Sequence, residues 1–174
     1  MVEDCKRGNL RAFESLYDAH STRMKSVALN LLGNTSDAED AVQEAFLRIY
    51  RSIAKFRAQS SLSTWVYRIL VNTCYDLMRK RKRRVEVPEL DTDRQQESKA
   101  GSTDHPLRLT LEKYLAQLDS RSRNVFLLFE VEGFTHREIG EILDIREGTS
   151  KSVLFETKRG LQRLINQASG VKGL

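Results

Sequence analysis

Five side chains between residues 65 and 79 combine types and spacing that suit a particular chemistry. Trp65, Arg68, Asn72, Tyr75 and Arg79 recur at i, i+3, i+7, i+10 and i+14, so on a helix they share one face. Flat rings stack unpaired bases at about 1–3 kcal/mol each, and guanidinium groups attract phosphate. The combination fits single-stranded nucleic acid. The same residues would also complete the inner side of an ordinary helix, since large aromatics usually sit in cores. The run Arg79-Lys80-Arg81-Lys82-Arg83-Arg84 follows. It would meet phosphates through counterion release, or stand as a solvated basic tail. Charges on phosphates position a protein without reading bases.

Two more faces ask for a partner. Asp40, Gln43, Glu44 and Leu47 lie opposite the apolar stripe of their helix, with Arg48 and Arg51 nearby. Acids and an exposed leucine do not suit DNA, so this face would dock a protein; a solvated face with one stray leucine is the simpler account. Towards the C-terminus, Leu154, Thr157, Leu161 and Leu164 point inward. Lys151, Phe155 and Lys158 form an outward stripe flanked by Ser152 and Arg159. Residues in the first turns of a recognition helix reach base edges in the major groove. Thr149 as N-cap would leave backbone N–H groups facing phosphate. An amphipathic helix with an ordinary charged face is the alternative, and the short capped helix before it favours DNA.

The elements that position these faces follow from apolar periodicity. Leu10, Phe13, Leu16, Tyr17, Met24, Val27, Ala28 and Leu31 form one helical stripe, and Gly33 stops it. Ser36-Asp37-Ala38-Glu39 reads as a capping box. It opens a helix to about Ala54 that buries Ala38, Ala41, Val42, Ala45, Phe46, Ile49 and Ile53. The polar loop Arg57-Ala58-Gln59-Ser60-Ser61 precedes a third helix, Leu62 to about Arg84, whose core face is Leu62, Val66, Ile69, Leu70, Thr73 and Leu77. Both prolines, Pro88 and Pro106, fall in an acidic stretch with few apolar residues, which is a linker. Beyond it Leu107, Leu111, Leu115 and Leu118 run to a break at Asp119-Ser120. Val125, Phe126, Leu128 and Phe129 lead to a stop at Gly133. A second capping box, Thr135-His136-Arg137-Glu138, opens a short helix, then a turn and a helix from Thr149 to about Ile165. Two helices with a tight turn make a helix-turn-helix. No segment alternates with period two, so the expected fold is all-α.

Charge divides the same way. Residues 1–84 hold 16 Lys/Arg against 9 Asp/Glu, residues 85–106 hold 2 against 6, and residues 107–174 hold 11 against 9. Two basic modules joined by an acidic connector suggest a polyanion partner, and charge alone fits RNA, DNA or an anionic membrane surface. No apolar run approaches the roughly 20 residues of a membrane span. The N-terminus lacks the order of a signal peptide, so a cytoplasmic protein is expected. Cys5 and Cys74 lie far apart without metal-ligand spacing, and His20, His105 and His136 are scattered. No glycine-rich phosphate loop is present. No metal, cofactor or catalytic residue is expected, and the protein is read as not an enzyme.

Three motifs together resemble the extracytoplasmic-function group (group IV) of the sigma-70 family. Residues 37–46, DAEDAVQEAF, are similar to the family's region 2.2, and residues 63–73, STWVYRILVNT, to its regions 2.3 and 2.4. Residues 134–140, FTHREIG, followed by Glu147-Gly148-Thr149, look like region 4. The resemblance spans nearly the whole chain. It implies two small helical domains, region 2 at 1–84 and region 4 at 107–174, with a flexible linker at 85–106. It further implies that Asp40, Gln43, Glu44 and Leu47 meet the clamp of core RNA polymerase. Phe56, Arg57, Gln59, Ser60, Trp65, Arg68, Asn72 and Arg79 would handle the −10 element as single strand. Arg146, Thr149, Lys151, Ser152, Phe155, Lys158 and Arg159 would read the −35 element as duplex. An anti-sigma factor would hold the protein in check. The sequence departs from the family at Ser150, where relatives often carry an aliphatic residue, and at Asp144, where a turn glycine is common. Val153 and Glu156 stand where relatives are often basic. Two rivals remain on the residues alone. A stand-alone helix-turn-helix regulator would use 107–174 and leave the other faces idle. A small nuclease would need Asp37, Glu39, Asp40 and Glu44 as metal ligands.

Overall fold

The computed structural model describes residues 1–86, 111, 114, 115 and 117–168, and every regular element among them is helical. Most of the expected linker, with His105 and Leu107, lies outside the described residues. The chain divides into two compact units, one drawn mainly from the first half of the chain and one mainly from the second.

The first unit is a bundle of three long helices with a short one added. Helix α1, Val2–Lys6, has no counterpart in the sequence reading, because five residues are too few to show periodicity; it buries Cys5. Asn9 caps α2, Leu10–Leu32, by accepting from the Arg11 and Ala12 N–H groups, and Gly33 ends it at φ 78°. Only a residue without Cβ adopts that left-handed conformation freely. Helix α2 buries Leu16, Met24, Val27, Ala28 and Leu31, but Leu10 and Tyr17 of the expected stripe are exposed. Helix α3 runs Thr35–Ser52, one short turn Ile53–Lys55 extends it, and all seven expected core residues are buried. Its cap is Asn34 and not the expected Ser36/Glu39 box. Asn34 Oδ1 accepts from the Asp37 N–H at 2.8 Å, while its Nδ2 donates to the Asp37 carboxylate at 2.7 Å. An Asn two residues upstream of Ser36 already caps the first turn through the Asp37 N–H. Helix α4, Leu62–Glu86, packs on both α2 and α3. Its innermost residues are Val66, Tyr67, Leu70, Val71, Thr73 and Cys74, a face turned slightly from the expected one, on which Leu62, Ile69 and Leu77 are half-buried.

In the second unit Leu111, Tyr114, Leu115 and Gln117 are helical. The expected break at Asp119 is the N-cap of α5, Ser120–Phe126; its carboxylate accepts from the Ser122 hydroxyl and from the Ser122 and Arg121 N–H groups, the hydroxyl first among the hydrogen bonds that hold its carboxyl below the usual range. One wide turn, Leu127–Val131, leads to Gly133 at φ 70°. Helix α6, His136–Leu143, opens with the expected box: Thr135 Oγ1 accepts from the Glu138 N–H, and the Glu138 carboxylate accepts from the Thr135 N–H at 2.9 Å. Helix α7 spans Glu147–Ala168. It starts two residues before the expected Thr149, which is therefore inside the helix and not its cap. Tyr114 lies on α7 with its hydroxyl donating to the Thr157 carbonyl at 2.6 Å. A Cβ at Gly160 would stand 2.3 Å from that hydroxyl, so glycine is what lets the ring in.

Candidate nucleic-acid interface

In the first unit the aromatic face of α4 is neither core nor fully open. Trp65, Arg68 and Tyr75 are half-buried, whereas Asn72 and Arg79 are exposed. The loop before the helix braces this face. Phe56 is only 7% exposed, and its ring packs 5.1 Å from that of Trp65 at 45°. Phe56 was expected to touch the strand; here it is packed chiefly against Trp65, with little of its own surface exposed. The chain reverses at Ala58, φ 54°, leaving Arg57 and Gln59 exposed and Ser60 half-buried. Ser61 then caps the helix. Its Oγ accepts from the Thr64 N–H at 3.0 Å and pairs with the buried Thr64 hydroxyl at 2.7 Å.

The acidic face lies on α3. Asp40 and Gln43 are exposed, and Leu47 is 50% exposed although its helix has a well-filled core. Glu44 is engaged: Arg48 Nε donates to its carboxylate at 2.9 Å, and Arg48 Nη1 donates to Asp76 on α4 at 2.7 Å. Asp76 also receives Arg79. Hydrogen bonds from Arg48 first, then Arg79, hold the Asp76 carboxyl below its usual range. The cation expected on the strand-binding face thus has an internal carboxylate partner. Among the described residues no three His, Cys, Asp or Glu side chains are arranged to hold a metal ion, and no helix is long and apolar enough to cross a membrane.

In the second unit the turn between α6 and α7 is built from Gly140 and Asp144. Asp144 takes the left-handed conformation, φ 55° and ψ 50°, that a glycine takes more cheaply. Ile145 N–H donates to the Gly140 carbonyl at 2.9 Å, and a Cβ at Gly140 would come within 2.8 Å of the Ile145 carbonyl. Along α7, Leu154 and Thr157 are buried, as expected. Lys151, Ser152, Phe155, Lys158 and Arg159 are exposed, Phe155 to 63%. Arg146 is exposed and Thr149 half-buried. Lys151 pairs with Glu147 and Lys158 with Glu130, each at 2.6 Å, while Ser152 Oγ donates to the Thr149 carbonyl.

Two family models match the chain in order: sigma-70 region 2 over residues 16–84 and sigma-70 region 4 over residues 108–161. The chain belongs to the sigma-70 family. Its relatives place it in the extracytoplasmic-function (ECF) group. It is 28% identical to the ECF RNA polymerase sigma factor SigW of Bacillus subtilis, covering 93% of each chain. It is 28% identical to the ECF RNA polymerase sigma-E factor of Escherichia coli K12, covering 95% of this chain and 92% of the other. The sigma factor RpoE of Bartonella quintana, solved with the anti-sigma factor NepR, matches with TM-score 0.69 and 25% identity over 90% of this chain and 98% of that one. CnrH, solved with the cytosolic domain of CnrY, has the same fold, with TM-score 0.70 and 21% identity over 95% of each chain.

Two of the four departures noted in the sequence, at Asp144 and Ser150, have local answers. Asp144 keeps the turn by accepting a left-handed backbone. Ser150, fully buried, finds a polar partner in His136, whose Nδ1 lies 3.0 Å from its Oγ. Sequence reasoning missed that pair, because residues 14 apart on different helices share no periodic signal.

Proposed function

We propose that this sigma factor divides a promoter between its two units, read as domains at 1–84 and 107–174, and performs no chemistry of its own. In the second domain α7 enters the major groove of the −35 element. Lys151, Ser152, Phe155 and Arg159 face the base edges and nearby phosphates, with Arg146, Thr149 and Lys158 at the margins. Lys151 and Lys158 exchange their carboxylate partners for phosphate on binding.

The first domain takes the −10 element as single strand. Trp65, braced from behind by Phe56, gives a fixed stacking surface. Asn72 and the loop of Arg57, Gln59 and Ser60 give amide, hydroxyl and cationic groups for a base turned out of the stack. The observation that carries this reading is the open Asn72 on the same helix face as that braced ring. Capturing unpaired bases stabilises the melted state, at about 1–3 kcal/mol per stacked base. Asp40, Gln43, Glu44 and Leu47 dock the clamp of core RNA polymerase. Polymerase and the linker at 85–106 hold the two contacts together, so the second is effectively intramolecular. The protein works in the cytoplasm beside polymerase. The solved pairing of its relative RpoE with NepR supports control by an anti-sigma factor that covers the DNA-binding faces.

Run-off transcription with core RNA polymerase on a library of bacterial promoter fragments tests the reading. New discrete transcripts that require the protein, and that fade with Trp65→Ala and Asn72→Ala, are expected. Absence of transcripts together with no binding to core polymerase would leave only a duplex-binding regulator.

A further inference from the structure

We propose that His136 is a DNA-backbone contact and that Ser150 sets it as a hydrogen-bond donor. The inference rests on the second domain's being the duplex reader, and it adds a phosphate contact outside the α7 stripe. Three observations fix the imidazole. Its ring stacks on Phe129, centroids 4.4 Å apart and planes 24° from parallel. Its Nδ1 is 3.0 Å from the hydroxyl of Ser150, a residue of α7 with no exposed surface. No described residue partners its Nε2. Since no buried side-chain nitrogen or oxygen among the described residues lacks a partner, that edge of the half-buried ring opens to solvent.

The tautomer follows from proton accounting. A neutral imidazole carries one proton, and a hydroxyl both donates and accepts. Were Nδ1 the donor, the buried Ser150 hydroxyl would accept and its own proton would find no acceptor, a costly arrangement. With Ser150 Oγ–H donating to Nδ1, every group is satisfied and the imidazole proton sits on Nε2. The outward edge is then an N–H donor, held in plane by Phe129 and oriented by Ser150. It stands beside the first turn of α7, where a helix-turn-helix meets the sugar–phosphate backbone. Its fitting ligand is a single phosphate oxygen of duplex DNA. His136 is the contact, and Ser150 is the positioning residue.

The test uses the full chain with core polymerase on a promoter fragment that this holoenzyme selects from a library. Each phosphate across the −35 element is replaced in turn by a neutral methylphosphonate. In the wild type one position should lose affinity on the order of tenfold, the range of a hydrogen bond to a charged acceptor. His136→Ala should lose as much on native DNA and nothing further at that position. His136→Gln, whose amide still donates, should recover most of the affinity. Ser150→Ala should weaken binding when His136 is present and cost nothing in the His136→Gln background, where there is no tautomer to set. Lys151→Ala, by contrast, should lower the slope of log K against log salt by about one. Unchanged affinity in His136→Ala, or a loss that persists equally at every methylphosphonate position, overturns the proposal while leaving the sigma reading intact. A holoenzyme that selects no promoter overturns both.

Discussion

Replacing Asp76 with Asn separates the stability role of the Arg48–Asp76–Arg79 cluster from its effect on DNA. Arg48 bridges α3 to α4 through a 2.7 Å contact in which the two side chains are 34% and 32% exposed. That geometry lies between a surface pair, worth about 0.2–1 kcal/mol, and a buried pair whose loss costs about 3–5 kcal/mol. Glu44 remains to Arg48 after the change, and an Asn side chain still accepts one hydrogen bond. A loss of about 1 kcal/mol is expected, which lowers Tm by roughly 4–8 °C for a domain of this size. The Arg79 pair adds little, because that arginine is 69% exposed. The pH dependence has a definite sign. The folded Asp76 carboxyl lies below the ordinary aspartate value of 3.8, so its contribution is fully present above that value and is lost as pH falls through the depressed one. Urea unfolding curves of wild type and Asp76→Asn should therefore differ at pH 7 and converge in acid. DNA binding moves the other way. Arg79, released from its carboxylate, becomes available to phosphate, so affinity for the −10 region should rise and the salt slope steepen by about 0.9. A variant as stable as wild type at pH 7, or one whose salt slope falls, refutes the reasoning.

Other perturbations have equally specific outcomes. Leu47→Ala, at an exposed site, should leave the unfolding midpoint within about 0.5 kcal/mol of wild type yet weaken core polymerase binding, read by fluorescence anisotropy. Gly160→Ala should destabilise the second domain by about 1–3 kcal/mol, because its Cβ would strike the Tyr114 hydroxyl; in a Tyr114→Phe background the penalty should shrink, and additive losses would contradict the packing argument. Burial pushes the Cys74 thiol up to about 12, so it should resist iodoacetamide in the folded chain and react only on unfolding, as mass spectrometry would record.

Much of the fold was legible because its helices are long and their cores regular. The seven apolar positions from Ala38 to Ile53 and the glycine at residue 33 needed no tertiary information. The Thr135/Glu138 box was readable because both partners lie within one turn. The Ser36/Glu39 box looked as good and failed, since Asn34 lies upstream and competes for the same first-turn N–H groups. Thr149 failed as a cap for a related reason: a left-handed Asp144 closes the turn early, and helix α7 begins before Thr149 is reached. Leu10 and Tyr17 continue the apolar spacing of α2 but remain exposed, which periodicity alone does not reveal. For the interface, sequence gave the faces and not the second side chain behind them. Phe56 behind Trp65, Arg48 beside Asp76 and Ser150 beneath His136 are each set by tertiary proximity.

Strand capture by the first domain is tested most directly by comparing two templates of one promoter in transcription with core polymerase, one fully duplex and one already unpaired across the −10 region. If Trp65 and Asn72 hold the melted strand, Trp65→Ala and Asn72→Ala should depress transcription strongly on the duplex template and far less on the unpaired one, since the cost of melting has been removed. Equal depression on both templates would contradict the account, and would assign those residues to folding or polymerase docking instead.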